Sequence, residues 1–464
     1  MTSLRQAPND RVLPHLARAL DATVMAGLFQ HHIDARARRS AHVQSCAIER
    51  IKYRPGRNCV LGYRVRMIDA RRGAFDHRLY VGLYPAADAR ARFDRAQQEA
   101  NAPCEFLPAI SLIEPFDMIV RSFPNDPKLH ALPHLVDHAN MRHALGETLG
   151  LGDCGERTAI ADGPFEVITY FPEHSCTFAI DRTLRRAGTT TIDRVYAKTR
   201  HDDAGAATFD VMHQLWHSSA RREGRVGYAR PLGYNASLRL LWQDGIDAVP
   251  LSRLLDGAAD LATWRRVGTA VAALHDTLAS TRREQTMAQL LVELNETADL
   301  VARVVPELAA RAMQLLDALN ERASGFDFQL DATLHGDLHS NNILMDAQRV
   351  YLIDLERVTR GAGLVELSSL LAEAAYRACL LGQTVDWPAA QTLISAYEHA
   401  RGLRLNRDEV CWHLSASLLR ERVRRCITSL KPSWLVILPR LLAIARAILE
   451  DSAVLHQLRQ RTTI

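Results

Sequence analysis

Residues 333–357 read TLHGDLHSNNILMDAQRVYLIDLER, and this stretch decides the reading of the whole chain. It holds His335-Gly336-Asp337, then Asn342, then Asp354 after a short apolar run. Ile343-Leu344-Met345 and Val350-Tyr351-Leu352-Ile353 flank the turn-like Asp346-Ala347-Gln348-Arg349, which predicts a β-hairpin. Such a hairpin brings Asn342, just before its first strand, near Asp354, just after its second. Phosphoryl transfer from a nucleotide needs one carboxylate to accept or orient the proton of the attacking hydroxyl. It also needs a carbonyl-type oxygen and a second carboxylate to hold Mg²⁺ on the phosphates. Asp337, Asn342 and Asp354 are those residue types in that order. A solvated polar loop before an ordinary hairpin would account for the HGD triplet alone, but not for the whole constellation.

HGDLHSNNIL followed by LIDLE resembles the aminoglycoside phosphotransferase and choline kinase group of the phosphotransferase enzyme family, small-molecule kinases with a protein-kinase-like fold. The family signature is HGDxxxxN followed by an aspartate after a hydrophobic strand. The resemblance implies that Asp337 is the catalytic base, that Asn342 and Asp354 are the metal ligands, and that His335 supports the catalytic loop. Val267–His275 (VGTAVAALH) is similar to the helix that precedes the catalytic region in this family. One departure is visible: where the family has a further aspartate at a helix start, this chain has Glu366-Leu367-Ser368, and Glu366 is expected to brace the loop in its place. The resemblance covers roughly residues 165–400.

The bulk properties agree with an enzyme of this kind. A chain of 464 residues accommodates two to three domains, and 47% hydrophobic with 24% charged residues is ordinary for a globular protein. A net charge of +4 does not argue for a nucleic-acid or anionic-membrane partner. The eight cysteines are scattered and form no CxxC or zinc-type spacing, so free thiols in a reducing cytosol are expected. The N-terminus lacks the continuous apolar core of a secretory signal. The stretch Trp434–Leu449 is broken by Pro439, Arg440 and Arg446, which suits a packed amphipathic helix rather than a membrane span. A cytoplasmic protein is expected, with oligomeric state left open.

In chain order, Leu13, Leu16, Leu20, Val24 and Leu28 recur at helical steps. From Ala47 to Phe123 the pattern is strand, turn, strand, turn, strand, helix, strand, strand, which is the order of a kinase N-terminal lobe. A similar order returns from Phe165 to Gln243. Tyr53, Pro55 and Cys59 recur as Tyr170, Pro172 and Cys176, Tyr80 as Tyr196, and Phe93-Asp94 as Phe209-Asp210. Ordered identities of this kind suggest duplication, against chance similarity of two β-meanders.

The third strand of a kinase N-lobe carries a lysine for the α- and β-phosphates. The second copy supplies Lys198 in Val195-Tyr196-Ala197-Lys198, whereas the first has Gly82 at that position. The second copy therefore reads as the working lobe. The first reads as a degenerate one, serving as a cap, a substrate-side extension or an oligomerisation surface, with an anion site at its turn Pro55-Gly56-Arg57-Asn58 as the weaker alternative. The helix of the working copy holds no glutamate for Lys198; Asp210, an acid elsewhere or no acid remain the options. With no glycine-rich loop, the turn Pro172–Ser175 must cover the phosphates with backbone NH groups, helped by Ser175 or His174. Leu241 and Gln243 fall at the hinge, where backbone groups meet a purine edge. Trp242 packs or stacks on the base, with packing preferred. The basic run Arg420, Arg422, Arg424 and Arg425 is a solvated helix face or a site for an acidic acceptor.

The expected fold is α+β, a protein-kinase-like two-lobed fold with an extra, degenerate N-lobe-like β domain at the N-terminus and a mainly helical C-lobe. Its parts are an N-terminal helix (1–40), the degenerate β domain (41–123), a linker (124–162), the kinase-like N-lobe (163–245) and the helical C-lobe with the catalytic loop (246–464). The expected activity is Mg²⁺-dependent transfer of the γ-phosphate of ATP or GTP to a hydroxyl of a sugar, aminoglycoside or amino alcohol. The HGD in place of HRD and the absence of an APE-type motif argue against a protein acceptor. The alternative is a catalytically weak nucleotide-binding regulator, a pseudokinase. The first copy could also stand alone as a module that recruits a partner.

Overall fold

The structure, a computed structural model, describes residues 6–36, 41–99, 101–149, 157–160, 165–186, 189–255 and 260–450. The chain divides into two compact units: Met1–Gly205 with Leu232–Gln243 and Ile427–Trp434, and Ala206–Pro231 with Asp244–Cys426 and Leu435–Ile464.

The first unit opens with α1 (Leu16–Ala19) and α2 (Ala22–Arg36). Next come β1 (His42–Arg54), β2 (Asn58–Asp69), β3 (Gly73–Leu83), α3 (Ala86–Gln97), β4 (Ile110–Ile113) and β5 (Met118–Ser122). The five strands form an antiparallel sheet in the order β1-β2-β3-β5-β4. The single helix expected over residues 9–40 is broken at Leu20-Asp21, because Asp21 Oδ1 accepts from the backbone NH groups of Thr23 and Val24 and starts a new helix there. Residues 37–40, the end of the expected N-terminal helix, lie outside the described residues.

The chain then repeats itself. After α4 (Leu132–Leu135) and α5 (His138–Leu149) come β6 (Arg157–Ile160), β7 (Glu166–Phe171), β8 (Ser175–Arg186), β9 (Thr189–Arg200) and α6 (Ala204–Trp216). The helix α7 (Ser219–Arg222) and the short strand β10 (Gly227–Tyr228) precede β11 (Pro231–Asn235) and β12 (Leu240–Asp244). The second sheet runs β11-β12-β9-β8, with β6 and β7 both paired to β8. Reading β7, β8, β9, β12 and β11 for β1, β2, β3, β5 and β4, the strand order of the first sheet is reproduced. Tyr53 faces Cys59 and Tyr170 faces Cys176; Gly82 pairs with Val60 and Lys198 with Thr177.

A polar bracket repeats as well. Asp10 Oδ1 accepts from the NH groups of Val12 and Leu13 while its Oδ2 accepts from Tyr53 Oη and Gly56 N. Asp126 Oδ1 accepts from the NH groups of Lys128 and Leu129 while its Oδ2 accepts from Tyr170 Oη and Glu173 N. Each aspartate ties the entry to a short helix to the hairpin turn of its own sheet. Residues 126–149, which lie within the expected linker, carry α4 and α5 and bear the same bracket to their sheet as residues 10–36 bear to theirs. Leu132, Leu135, Met141 and Leu145 join Tyr170, Phe178, Val195 and Trp242 in one buried cluster. Most of the end of the expected linker, residues 150–162, lies outside the described residues.

The two copies touch within this unit. The Arg50 guanidinium lies 3.8 Å from the Phe171 ring centroid, Arg78 Nη2 donates to Val167 O at 2.9 Å, and Tyr80 Oη donates to Glu173 Oε1 at 3.0 Å.

The second unit is mainly helical. It continues with β13 (Val249–Pro250), α8 (Leu251–Leu254), α9 (Leu261–His275), α10 (Met287–Val304), α11 (Ala309–Ala323), β14 (Ala332–Leu334), β15 (Ile343–Met345), β16 (Val350–Leu352) and β17 (Thr359–Gly361). Then follow α12 (Gly363–Leu381), α13 (Trp387–Arg401), α14 (Arg407–Ser417), α15 (Arg424–Thr428) and α16 (Trp434–Glu450). Strands β10-β16-β15-β13 form one small sheet, and β14 pairs with β17. Among the described residues no helix is long and apolar enough to cross a membrane.

Candidate active site

The hairpin forms as its sequence requires. Ile343 faces Leu352 and Met345 faces Val350. Asp346 Oδ1 closes the turn by accepting from the NH groups of Gln348 and Arg349, while Oδ2 accepts from Tyr351 Oη. At the open end, Ile353 N donates to Asn342 O at 3.0 Å, so the residues just outside the strands are held side by side. Asp354 follows at once with φ 64° and ψ 52°, a left-handed conformation uncommon for a residue with a side chain, and its side chain is exposed.

The loop between β14 and β15 is fixed from one helix. Glu366 Oε2 accepts from His335 N at 2.9 Å and Glu366 Oε1 from Gly336 N at 2.8 Å. Two turns further along α12, Glu373 accepts from Ser340 N at 2.8 Å and from Ser340 Oγ at 2.6 Å. Residues seven apart share a helix face, so one face of α12 grips both ends of the loop. The longer side chain of Glu366 reaches both amides, so it braces the loop as an aspartate would from a nearer backbone. Gly336 has φ 80°, and a Cβ there would stand 2.0 Å from Arg357 O, so only glycine fits.

Behind Glu366 lies a directed hydrogen-bond chain. Arg401 Nη1 donates to Tyr397 Oη at 2.8 Å, Tyr397 Oη bonds His275 Nδ1 at 2.7 Å, and His275 Nε2 donates to Glu366 Oε2 at 3.0 Å. Burial would push the Glu366 carboxyl up; the His275 hydrogen bond and the His335 amide outweigh it and hold the group below its usual range. His335 is fully buried, and its Nε2 donates to Ile353 O at 2.7 Å, which ties the loop to the hairpin.

Asp337 lies at the centre of the loop. Its Oδ1 accepts from Arg425 Nη2 at 2.6 Å. Burial pushes its carboxyl up, but Arg425, His339 and Arg357 together hold it below the usual carboxylate range. Asn342 Nδ2 donates to Asp337 O at 3.0 Å, which leaves the amide oxygen as the free acceptor of that side chain. Asn342 and Asp354 thus fit a hard cation that takes few protein oxygens and keeps phosphate and water oxygens for the rest, as Mg²⁺ does. Among the described residues no group of three or more His, Cys, Asp or Glu side chains is placed to hold a metal.

The basic run resolves into separate partners. Arg420 pairs with Glu293 and Glu421, Arg422 with Glu421 and the carbonyl of Ser369, and Arg424 with Glu296. Of these four, Arg425 is the one whose guanidinium bonds Asp337. A π-helical turn over Leu418–Val423 precedes it and shifts the helical phase by which such a run is read.

Apart from Asp210, the remaining expected contacts lie in the first unit. Lys198 is half-buried on β9, opposite Thr177 of β8. Ser175 opens β8 and is 1% exposed, with its Oγ 3.3 Å from His174 Nδ1. Leu241 and Gln243 sit on β12, the strand beside β9, the first buried and the second half-buried. Trp242 between them is fully buried and belongs to the core, as its packing alternative required. Asp210, offered as a partner for Lys198, is exposed on α6.

Sequence reasoning missed Glu373 and Tyr397; it placed His275 only at the end of its helix and Arg425 only within the basic run. The i, i+7 spacing of Glu366 and Glu373 was a legible signal. Nothing local marked the partners of the other three, which act across long sequence separations.

The model of the phosphotransferase enzyme family matches residues 179–413, half of the chain. The chain belongs to that family. It is a phosphotransferase with an alcohol group as acceptor, homologous to small-molecule kinases. No curated protein matches the sequence. Solved structures similar to it include a choline/ethanolamine kinase family protein from Mesorhizobium loti, at 14% identity over 68% of this chain and 94% of that chain with a TM-score of 0.45. A choline kinase from Cryptosporidium parvum is 13% identical over 64% of this chain and 92% of that one, TM-score 0.43. A spectinomycin phosphotransferase in complex with ADP and spectinomycin is 11% identical over 67% and 98%, TM-score 0.41.

Proposed function

We propose that this protein transfers the γ-phosphate of a nucleoside triphosphate to a hydroxyl of a small molecule, with Asp337 as the group that receives and orients the acceptor hydroxyl. One observation carries the reading: the Asp337 loop is clamped at both ends by Glu366 and Glu373 from a single helix. A carboxylate held this firmly makes positioning its main contribution, which suits a reaction with little covalent work for the protein. Its low pKa keeps it ionised and ready to accept a hydrogen bond throughout the neutral range. Asn342 and Asp354 hold Mg²⁺, which supplies charge neutralisation on the phosphates when bound with ATP or GTP. Lys198 takes the α- and β-phosphates. The turn before β8, with Ser175, covers them, and the backbone at Leu241 and Gln243 receives the base. His335 and Glu366 keep the loop in place. The acceptor is a sugar, an aminoglycoside, an amino alcohol or a related hydroxyl compound.

ADP release with Mg²⁺-ATP across a panel of such compounds tests this, with Asp337→Asn in parallel. Release stimulated by one class of compound and reduced roughly 10²–10⁴-fold in the variant supports the reading. A second reading, a nucleotide-binding regulator, draws on the Arg425–Asp337 ion pair, which occupies the carboxylate a base would need. Nucleotide binding without turnover by any compound, with Asp337→Asn retaining biological function, would favour it.

A further inference from the structure

The first copy has a cavity of about 430 Å³ at its own hairpin turn, and its lining holds four cationic side chains against two carboxylates. Arg54 ends β1, Arg57 lies in the turn, Arg92 comes from α3 and Lys128 from the start of the second copy; the carboxylates present are Asp88 and Glu173. Among the described residues neither Arg54 nor Arg57 has a carboxylate at ion-pairing distance. The Arg92 guanidinium lies 4.6 Å from the Tyr84 ring centroid, which orients it without neutralising it. Glu173 is already committed: it is buried, it accepts from Tyr80 Oη, and its Oε2 lies 3.4 Å from Lys128 Nζ. Four cations thus face two carboxylates: Glu173, which is engaged, and Asp88 in the first turn of α3.

The strand position that carries Lys198 in the second copy cannot supply a cation here. At Gly82 a Cβ would stand 2.6 Å from the Tyr84 ring and 2.9 Å from Tyr80 Oη, and these two hydroxyls bond each other at 2.7 Å. The cations of this cavity come instead from the end of β1, the turn, α3 and Lys128. Two unpaired arginines that share one polar cavity repel each other unless an anion joins them, and guanidinium groups match phosphate oxygens in forked geometry.

We propose that this cavity binds a small phosphate-bearing anion, held by Arg54 and Arg57 with Arg92 and Lys128 completing the charge. Binding here is independent of the phosphotransfer proposed above and needs no turnover. The test is calorimetric titration of the full chain with inorganic pyrophosphate and with glucose 6-phosphate, without Mg²⁺. It compares the natural chain, Arg54→Ala/Arg57→Ala and Lys198→Ala. Both arginines are exposed, so the double variant keeps its fold, and its melting curve serves as the control. The expected result is saturable binding of at least one probe, retained in Lys198→Ala and weakened at least about tenfold in the double variant. Equal affinity in the double variant, loss in Lys198→Ala alone, or no saturable binding by the natural chain overturns the proposal. ADP release is not read in this experiment, so failure of the kinase reading leaves its outcome intact.

Discussion

Arg425 Nη2 lies 2.6 Å from Asp337 Oδ1, and the two side chains are 45% and 29% exposed. An ion pair this open to water contributes about 0–1 kcal/mol to stability, so Arg425→Ala should leave the melting temperature nearly unchanged. Its effect should fall on titration instead. Burial raises the Asp337 pKa and Arg425 is the largest influence opposing it, so removing Arg425 moves that pKa upward. The acid limb of kcat/KM should therefore shift to higher pH in Arg425→Ala. An unchanged limb would show that Asp337 does not control it.

The same pair bears on acceptor choice. An acceptor hydroxyl must displace or share the guanidinium to reach Asp337. In a comparison of Arg425→Ala with the natural chain, a positively charged amino alcohol should gain in kcat/KM relative to a neutral sugar, because a like charge leaves the site. A fall for the cationic compound would contradict this account of the pair.

Glu366 is 3% exposed and accepts from two backbone amides and His275. Glu366→Gln turns an NH₂ group toward donors and should cost about 3 kcal/mol, read by denaturant unfolding at neutral pH. The folded-state pKa lies below the ordinary 4.5, so the stabilisation is fully present above that value and is lost as pH falls through the depressed value. Glu366→Gln should therefore lose part of the natural chain's fall in stability below about pH 4.5.

Glu373 holds the far end of the loop through Ser340. Glu373→Gln keeps the size of the side chain and weakens the grip. It should lower kcat by about tenfold while nucleotide affinity stays constant, since a loosened loop misplaces Asp337 without altering phosphate contacts. Steady-state kinetics against varied ATP separates the two effects.

Asp10 and Asp126 make matching brackets, but Asp126 is 7% exposed and its bonds to Tyr170 and Glu173 are buried, whereas the Gly56 amide that Asp10 receives is exposed. Asp126→Ala should cost about 2–4 kcal/mol and Asp10→Ala about half as much, because unsatisfied buried donors are the expensive ones. Equal losses in thermal unfolding would show that burial does not distinguish the brackets.

Much of the catalytic stretch was legible because its signals are local. The hairpin needs only two apolar runs and a turn, and the residues that flank its ends are neighbours by construction. The second sheet was legible through Tyr170, Pro172 and Cys176, which repeat an order already seen. Residues 126–149 fall within the expected linker, and Asp126 carries no local sign of its distant partners Tyr170 and Glu173. The basic run was indivisible in sequence; only the partners of each arginine separate Arg425 from the other three.

The sequence by itself determined the family, the hairpin with Asn342 and Asp354 at its open end, and the presence of Lys198 at the repeat position where the first copy has Gly82. These follow from residue order, strand period and short-range turn chemistry, which act within a few residues. Only the tertiary structure decided that Glu366 and Glu373 grip one loop, that Arg425 meets Asp337, and that Arg54 and Arg57 share a cavity with Lys128. Those relationships join residues far apart in the chain, and hydrogen-bond and ion-pair forces select partners by distance in space, which sequence order does not encode.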